Sequence, residues 1–348
     1  MRQFRPLMLN RTSLGPTDLN QLALNTQSWG RLRASLFALT GSPRLFGDRL
    51  KDENIRLIHA HFGPDATYAL PLARSLGVPL VVTFHGFDCT TDRNDLLRSG
   101  RYSNWRYLLL EQRLREQAIA FIAVSHFIES VLLERGYPRD KIIQHYIGVD
   151  IQKFHPINER SDSTYIFCVG RHTKKKGLGT LLRAFARITD KHPDVDLIQV
   201  GSGTLTEELK YLANTLGIAE RVRFLGARSS DEVRQLMQRC ALFVLPSQTA
   251  ENGDSEALGI VFNEASACGI PVVSTRHGGI PEAVLHGETG LLVDERDDRA
   301  LAEAMDQILG DPYLGSKLGK RGREYVCDVF DLSKQTAKLE DIYETLLR

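Results

Sequence analysis

The sequence predicts an α/β protein of two domains, each with a parallel sheet covered by helices on both faces. The chain has 348 residues, which is more than one hydrophobic core usually organises and fits two domains. Short runs rich in β-branched residues alternate with segments of helical spacing along the whole chain. These runs are continuously apolar, which is typical of strands buried on both faces of a parallel sheet. Together the three observations predict two doubly wound, Rossmann-like domains.

In the first half, five apolar runs are predicted strands, namely RPLML (5–9), RLIHAHF (56–62), PLVVTFHG (79–86), AFIAVS (120–125) and KIIQHYIG (141–148). Helical spacing predicts helices over 66–76, 102–118 and 126–135. The polar, Pro-containing segment 150–164 is the best linker candidate. We therefore expect an N-terminal domain over residues 1–155.

The second half repeats the alternation. Its predicted strands are 164–170, 195–201, 221–226, 242–247 and 271–275, and the predicted helices have the sequences LGTLLRAFARI, LTEELKYLANTL, SDEVRQLMQRC and IVFNEASA. We expect this domain to span 156–330. The last helix, over 331–348, has an apolar face that needs a surface, and we expect it to pack back on the N-terminal domain. A ligand would bind where the carboxyl ends of both sheets face a central cleft.

Composition and charge exclude several classes of protein. The chain is 42% hydrophobic and 25% charged, as a globular protein is. No apolar run reaches the ~18–20 residues of a membrane span, and the start shows no signal-peptide pattern. We expect a cytoplasmic protein, with any membrane association peripheral on the inner face of the plasma membrane. The five cysteines show no CxxC spacing, so we expect them to be reduced.

Charge is unevenly distributed between the two halves. Residues 1–150 carry 19 Lys and Arg against 14 Asp and Glu, whereas the remainder carries 25 against 29. A mildly basic first half fits an anionic partner or membrane surface, or a chance imbalance on solvated faces. We expect no nucleic-acid partner.

The segment VGRHTKKKG (169–177) ends a predicted strand and precedes a helix. Arg171 and Lys176 would place two cations beside a helix N-terminus, an arrangement that suits a diphosphate. A lysine run is equally typical of a solvated face. The nearby GxG at 201–203 lacks the third glycine of a dinucleotide fingerprint, so we interpret it as a tight turn.

Two glutamates frame the predicted helix IVFNEASA. Glu256 precedes the helix, and Glu264 lies roughly 7 Å along it from Gly259 at 1.5 Å per residue. A phosphate at the helix start would have a carboxylate at each end of it. One N-terminal acid and one solvated acid would give the same spacing. His59 and His61 alternate in HAH, but they end a buried strand, which favours a structural role over metal binding.

Several of these segments resemble family 4 glycosyltransferases. The resemblance rests on GR (170–171), KG (176–177), LPS (245–247), E-x7-E from Glu256 to Glu264, EASACGIPVVST and GGIPEAV, and it runs from about residue 55 to about 345. It implies the GT-B fold and retaining transfer from a nucleoside-diphosphate sugar, UDP- or GDP-linked, without a metal or other cofactor. The segment HFGPDATYALPLARSLGVPLVVTFHGFD is similar to bacterial exopolysaccharide enzymes of the colanic-acid type. That similarity implies transfer of a hexose to a saccharide or lipid-linked surface-polysaccharide acceptor.

The resemblance also implies a role for each matching residue. Arg171 and Lys176, after Gly170, would hold the donor diphosphate and stabilise the leaving nucleotide. Glu256 would bind sugar hydroxyls, and Glu264 would accept hydrogen bonds from the ribose. Backbone N–H groups around Leu258, Gly259 and Ile260 would help to hold sugar and phosphate, and His85 would reach the donor sugar from the N-terminal domain.

The chain departs from the family pattern at its start. MRQFRPLMLNRTSLG matches the second strand of the family, so we expect the first βα unit to be absent and activity to be low or lost. Two alternatives to the glycosyltransferase remain open: a nucleotide-sugar 2-epimerase of the same fold, and a nucleotide-sugar-binding remnant without activity. Separately, the Arg-rich and aromatic segment 98–117 is expected to meet anionic lipid or to be a solvated helix with extended arginines.

Overall fold

The computed structural model describes residues 4–10, 20–23, 30–46, 50, 53–157 and 165–348. The chain divides into two compact units. Unit 1 combines Met1–His145 with Gln335–Arg348, and unit 2 is Tyr146–Lys334. The α/β class predicted from the sequence is confirmed, because every sheet among the described residues is parallel and helices connect the strands of the two larger sheets.

In unit 1, a four-stranded parallel sheet has the order β3-β4-β5-β6. The strands are β3 (Ile58–His61), β4 (Leu80–Phe84), β5 (Ala120–Ala123) and β6 (Ile142–Gln144). A separate parallel pair consists of β1 (Leu7–Asn10) and β2 (Asn20–Ala23). The helices are α1 (Gly30–Thr40), α2 (Gly63–Leu76), α3 (Phe87–Thr90), α4 (Arg93–Arg98), α5 (Tyr102–Gln117) and α6 (His126–Glu134). Strands β4 and β5 are buried along their whole length, as their unbroken apolar sequences predict.

In unit 2, a six-stranded parallel sheet has the order β12-β11-β10-β7-β8-β9. The strands are β7 (Tyr165–Val169), β8 (Asp196–Val200), β9 (Val222–Phe224), β10 (Leu242–Val244), β11 (Val272–Thr275) and β12 (Gly290–Val293). The helices are α7 (Leu178–Ala186), α8 (Thr206–Thr215), α9 (Ser230–Arg239), α10 (Ile260–Ala267), α11 (Ile280–Ala283), α12 (Asp298–Gly310) and α13 (Pro312–Val329). The strand order reverses between β7 and β10. In sheets of this type ligands bind outside the carboxyl ends of the strands at this reversal.

The segment after residue 145 is packed rather than free. The rings of Tyr146 and Phe330 lie 4.9 Å apart, and the Val149 N–H donates to the Phe330 carbonyl at 2.7 Å. The unit boundary therefore falls after His145, whereas the sequence placed it after residue 155. Residues 158–164 of the expected linker lie outside the described residues.

The last helix, α14 (Leu332–Leu346), belongs to unit 1 from Gln335 onward. Leu339 and Leu346 pack against the buried cluster of Val81, Ala120 and Ile122 from β4 and β5. The apolar face that the spacing of this helix predicts therefore packs against a face of the unit 1 sheet. The chain has five free cysteines, of which Cys168, Cys240 and Cys268 are buried in unit 2.

Candidate active site

Two loops meet at the strand-order reversal of unit 2. One follows β7 and leads into α7, and the other follows β10 and leads into α10. Gly177 begins α7 with φ of 61°, and a Cβ at this position would lie 1.8 Å from the Pro246 carbonyl oxygen. Only glycine fits, because the two backbones touch and φ is positive. The KG pair at 176–177 therefore brings the first loop directly onto the second.

Three consecutive lysines of the first loop each pair with an acid of the second. We call this set the lysine ladder: Lys174–Glu251 at 2.8 Å, Lys175–Asp254 at 2.9 Å and Lys176–Glu256 at 2.6 Å. The outer pair is mostly exposed, with side chains that are 59% and 81% exposed, whereas those of the third pair are only 17% and 10% exposed. The lysine run is a solvated face at Lys174 alone, and its other end enters the site.

The innermost pair is held in place from several sides. Glu256 is buried, which opposes its ionisation, but the ammonium groups of Lys176 and Lys175 outweigh burial and hold the pKa of its carboxyl below the usual range. The aliphatic stem of Lys176 passes over Gly170, where a Cβ would lie 3.5 Å from its Cγ and Cδ atoms. The Glu256 carboxyl is therefore ionised at neutral pH.

A buried histidine that the sequence analysis did not select fixes the backbone of Glu256. The Glu256 N–H donates to His277 Nε2 at 3.0 Å, and His277 Nδ1 lies 2.7 Å from Glu295 Oε1. Because Nε2 accepts a proton here, Nδ1 must carry one and donate it to Glu295. His277 directly precedes GGIPEAV in the sequence. Its place beside this motif is the feature from which its role could have been predicted.

The start of α10 presents free backbone donors. Gly259 precedes the helix with φ of 80° and ψ of 65°, and a Cβ there would lie 2.5 Å from the Phe262 ring. Within the part of the chain that the structure describes, the N–H groups of Leu258, Gly259 and Ile260 have no hydrogen-bond acceptor. Such donors, together with the helix dipole, favour an anion.

Glu264 differs from Glu256 in both surroundings and charge state. Its side chain is half-buried on α10, and burial raises the pKa of its carboxyl to about 7, with Lys153 as the opposing charge. No hydrogen bond or ion pair reaches this carboxyl from the described ranges. A half-buried acceptor without a donor suits a ligand that brings hydroxyl groups.

The structure brings together only some of the predicted site residues. Lys176, Glu256 and the start of α10 lie together at the strand-order reversal. Arg171 follows Gly170 with an exposed side chain that has no ion-pair partner among the described residues. It can reach a ligand, but the protein does not hold it.

His85 lies in unit 1, directly after β4. Its Nε2 atom is 2.9 Å from Nδ1 of His61, and burial, followed by the charge of His61, lowers the pKa of His85 to about 4. The neighbouring ring, His59, is bound by the hydroxyls of Tyr343 and Thr83 at 2.5 and 2.6 Å. Over the residues that are described, no group of three or more potential ligands is arranged to hold a metal ion.

Comparison with known proteins agrees with this architecture. A family model described as "Glycosyl transferases group 1" matches residues 150–325, and one described as "Glycosyltransferase Family 4" matches residues 22–153. The solved structure of sucrose-phosphate synthase from Thermosynechococcus elongatus has a TM-score of 0.79 at 23% identity, over 99% of this chain and 90% of that one. HepE from Anabaena, in complex with UDP and glucose, has a TM-score of 0.74 at 19% identity, over 97% and 99%.

Two curated relatives share more sequence. A GDP-mannose-dependent alpha-(1-6)-phosphatidylinositol monomannoside mannosyltransferase from Mycolicibacterium smegmatis is 32% identical over 82% of this chain and 78% of its own length. The putative colanic acid biosynthesis glycosyltransferase WcaL from Escherichia coli is 32% identical over 82% and 70%.

Fold and site thus define a glycosyltransferase of the GT-B class. More particularly, the chain belongs to glycosyltransferase family 4, and the prediction of a transferase is confirmed. None of the helices in the described ranges is long and apolar enough to cross a membrane.

Proposed function

We propose that this protein is a retaining glycosyltransferase that moves a hexose from a nucleoside-diphosphate sugar to a growing, lipid-linked surface polysaccharide of a bacterium. One observation carries the proposal: the buried Lys176–Glu256 pair lies just before α10, the free N–H groups lie at its start, and the unpaired Glu264 lies on it. The names of the two relatives, one with a GDP-mannose donor and a phosphatidylinositol-linked acceptor and the other from colanic acid synthesis, support the donor and acceptor classes.

The donor is proposed to lie along α10. Its diphosphate faces the N–H groups of Leu258, Gly259 and Ile260, its sugar hydroxyls reach Glu256, and its ribose hydroxyls donate to Glu264. Glu264 lies five residues after Gly259, about 7 Å along a helix at 1.5 Å per residue. This distance suits the separation of a diphosphate from the ribose to which it is linked.

The lysine ladder supplies the charge that the reaction needs. Departure of the nucleoside diphosphate places negative charge on phosphate oxygens, and fixed cations stabilise that state more than the ground state. Lys176 is already fixed by Glu256 at 2.6 Å, whereas Arg171 is free to fork two phosphate oxygens when donor binds. Before the donor binds, Glu256 balances the positive charge of Lys176. The hydroxyl groups of a bound donor then offer Glu256 further hydrogen-bond partners.

In unit 1, His85 is proposed to contact the substrate during transfer. Glu256 and Glu264 are assigned to sugar and ribose, so neither is the nucleophile of a double displacement. Retention then follows from attack on the face that the diphosphate leaves, with the leaving phosphate taking the acceptor's proton. No metal is assigned a role.

Donor binding tests the proposal directly. Thermal shift is measured with UDP- and GDP-sugars on wild type, Glu256→Gln and Glu264→Gln, with Glu251→Gln of the exposed ladder pair as the matched control. A donor at 100 times its Kd should stabilise the protein by about 2.7 kcal/mol. We expect Glu264→Gln to weaken nucleotide binding about 10-fold or more, as loss of a charged hydrogen-bond acceptor does, and Glu256→Gln to reduce discrimination between sugars. Equal binding by all four proteins would refute the site.

Transfer is then assayed with labelled donor and a membrane lipid extract. Label that enters the lipid fraction supports the proposal. Free epimerised sugar without an acceptor would instead indicate the 2-epimerase, and binding without turnover would indicate the inactive remnant.

A lipid-linked acceptor requires a membrane-facing surface, and we propose that unit 1 carries it. Seven large apolar side chains are exposed on three neighbouring helices, a set we call the apolar patch: Leu32, Leu36 and Leu39 on α1, Leu97 on α4, and Tyr102, Trp105 and Leu109 on α5. The patch is continuous where Tyr102 donates to the Leu39 carbonyl at 2.9 Å and its ring lies 5.8 Å from that of Trp105. Exposed apolar surface of this extent marks an interaction site.

The charge around the patch fits an anionic bilayer. Residues 30–46 contain three arginines and no acid, and residues 93–117 contain six arginines against Asp95, Glu111 and Glu116. Basic residues attract anionic headgroups while Trp and Leu enter the interface. Arg106 does not take part, since it lies over the Tyr68 ring at 4.8 Å and donates to the Thr67 carbonyl. This removes one of the arginines that the sequence alone would assign to lipid.

Vesicle flotation tests this surface. We expect binding to vesicles with phosphatidylglycerol and little to phosphatidylcholine alone. Arg98, Arg101 and Arg113→Glu should abolish binding, and Trp105→Ala with Leu109→Ser should weaken it. Arg56, Arg139 and Arg239→Glu, the same charge change outside the patch, serves as the control. Equal flotation of patch and control variants would refute the membrane contact, and concentration-dependent dimerisation lost in the patch variants would assign the surface to a second copy of the chain.

A further inference from the structure

The carboxyl edge of the unit 1 sheet carries a row of histidines that the donor site does not use. His59 and His61 lie on the same face of β3, with rings stacked 4.6 Å apart at 22°. Strand β4 pairs with β3 in parallel, with His61 opposite Thr83, so His85 follows two residues later beside His61. The register of two neighbouring strands therefore produces the contact between His61 and His85.

Below this contact, one buried carboxylate fixes the backbone. Asp88 is fully buried; its Oδ1 accepts the N–H groups of His85 and Gly86 at 3.2 and 3.0 Å, and its Oδ2 accepts the Gly63 N–H at 3.0 Å. It thereby joins the turn after β3 to the turn after β4. The Phe62 ring lies 4.6 Å from that of His85, which limits movement of the imidazole on a further side.

The two rings can share one hydrogen bond in only one of two ways. Neutral imidazole has one N–H and one lone pair, so either His61 Nδ1 or His85 Nε2 carries the proton between them. Burial keeps both rings neutral near pH 7, since it lowers the pKa values of both side chains. If His85 Nε2–H donates to His61 Nδ1, both rings have the proton on Nε2, which is the tautomer that a free histidine side chain prefers.

We propose that His61 is a positioning residue that accepts the Nε2 proton of His85 and so leaves His85 Nδ1 as a fixed acceptor for a substrate hydroxyl. The proposal rests on the proposed function, in which His85 contacts substrate. Neither His85 Nδ1 nor His61 Nε2 has a hydrogen-bond partner elsewhere in the described ranges. The ligand class that fits is a sugar hydroxyl, because an unprotonated ring nitrogen accepts one hydrogen bond and donates none.

The tautomer is measured without any activity assay. Protein with 15N-labelled histidine is studied by two-bond 1H–15N correlation, in which the cross-peak pattern shows which ring nitrogen carries the proton, and His85→Asn assigns the signal. We expect His85 as the Nε2–H tautomer in wild type. We also expect the same tautomer in His61→Asn, whose Oδ1 can replace Nδ1 as acceptor, and a mixture in His61→Leu. His85 as the Nδ1–H tautomer in wild type would overturn the proposal, and this reading needs neither variant to fold.

Kinetics give the second reading. His61→Leu should lower kcat about 10-fold or more with the donor KM within about twofold, because loss of orientation affects the reacting geometry more than binding. His61→Asn should stay within about threefold of wild type, and His126→Leu, an exposed histidine on α6, is the control. Equal losses in His61→Leu and His61→Asn would show that His61 acts only through packing. If the wild-type protein binds no nucleotide sugar, the proposed function fails while the tautomer result still stands.

Discussion

The two glutamates at α10 lie in opposite surroundings. Just before the helix, Glu256 is buried but has Lys176 at 2.6 Å, and the pKa of its carboxyl lies below the usual range. Further along, Glu264 is half-buried without a cation in contact, and its pKa rises to about 7. The protein itself supplies a cation for the first acid. The second has no partner in the described residues, and we propose that a ligand supplies one, since functional sites are where proteins tolerate unfavourable burial.

The largest expected effect on the free energy of unfolding comes from removing the ammonium of Lys176 that pairs with Glu256. Lys176→Met leaves Glu256 buried and unpaired, and the free energy of unfolding should fall by about 3 kcal/mol, as it does when one partner of a buried pair is lost. Urea denaturation at pH 7 measures this. Adding Glu256→Gln to Lys176→Met should recover part of the loss, because no uncompensated charge remains. A double variant as unstable as the single one would mean that packing of the lysine stem, and not charge, stabilises the loop.

A smaller change in the free energy of unfolding, of opposite sign, is expected at Glu264. The folded-state pKa of Glu264 is raised from 4.5 to about 7, so its contribution to stability is fully present below pH 4.5 and is lost as pH rises through 7. Glu264→Gln stays neutral and should therefore stabilise the donor-free protein by about 1–3 kcal/mol at pH 8 and by little at pH 4.5. Melting temperatures across this range measure the difference. A stability change independent of pH would contradict the assignment of Glu264 as an unpaired buried acid.

These two acids show what sequence can and cannot supply. Spacing placed Glu256 just before the helix, Glu264 on it and the helix start near Gly259, because apolar periodicity and strand-loop-helix order are local properties. Spacing could not predict that Lys176 and Glu256 form an ion pair, because the two residues are 80 positions apart. They come into contact only because their strands, β7 and β10, are neighbours in the sheet. Continuous apolar runs likewise predicted strands such as β7 and β10, but not their neighbours in the sheet.

Other misses have the same origin. His277 and Asp88 act through backbone N–H groups of distant or turn residues, and no side-chain pattern announces such a role. The leucines of α1 at 32, 36 and 39 have helical spacing, yet spacing alone predicts burial rather than the exposure that the structure shows. Residues 150–154 looked like part of a linker because the segment 150–164 is polar, although Phe154 belongs to the buried core of unit 2.

The smallest effect is expected at the outer end of the lysine ladder, and it sharpens the comparison by separating charge from burial. The Lys174–Glu251 pair has nearly the same geometry as the inner pair, but both side chains are mostly exposed. Water and salt screen it, so Lys174→Met should leave the free energy of unfolding almost unchanged. Lys175→Met, whose pair is nearly as buried as the inner pair, should destabilise the protein more than Lys174→Met. Urea denaturation of the three single variants at 0.05 and 0.5 M salt measures this order. Equal losses along the ladder would show that the number of ion pairs, rather than their burial, determines how firmly the two loops are joined.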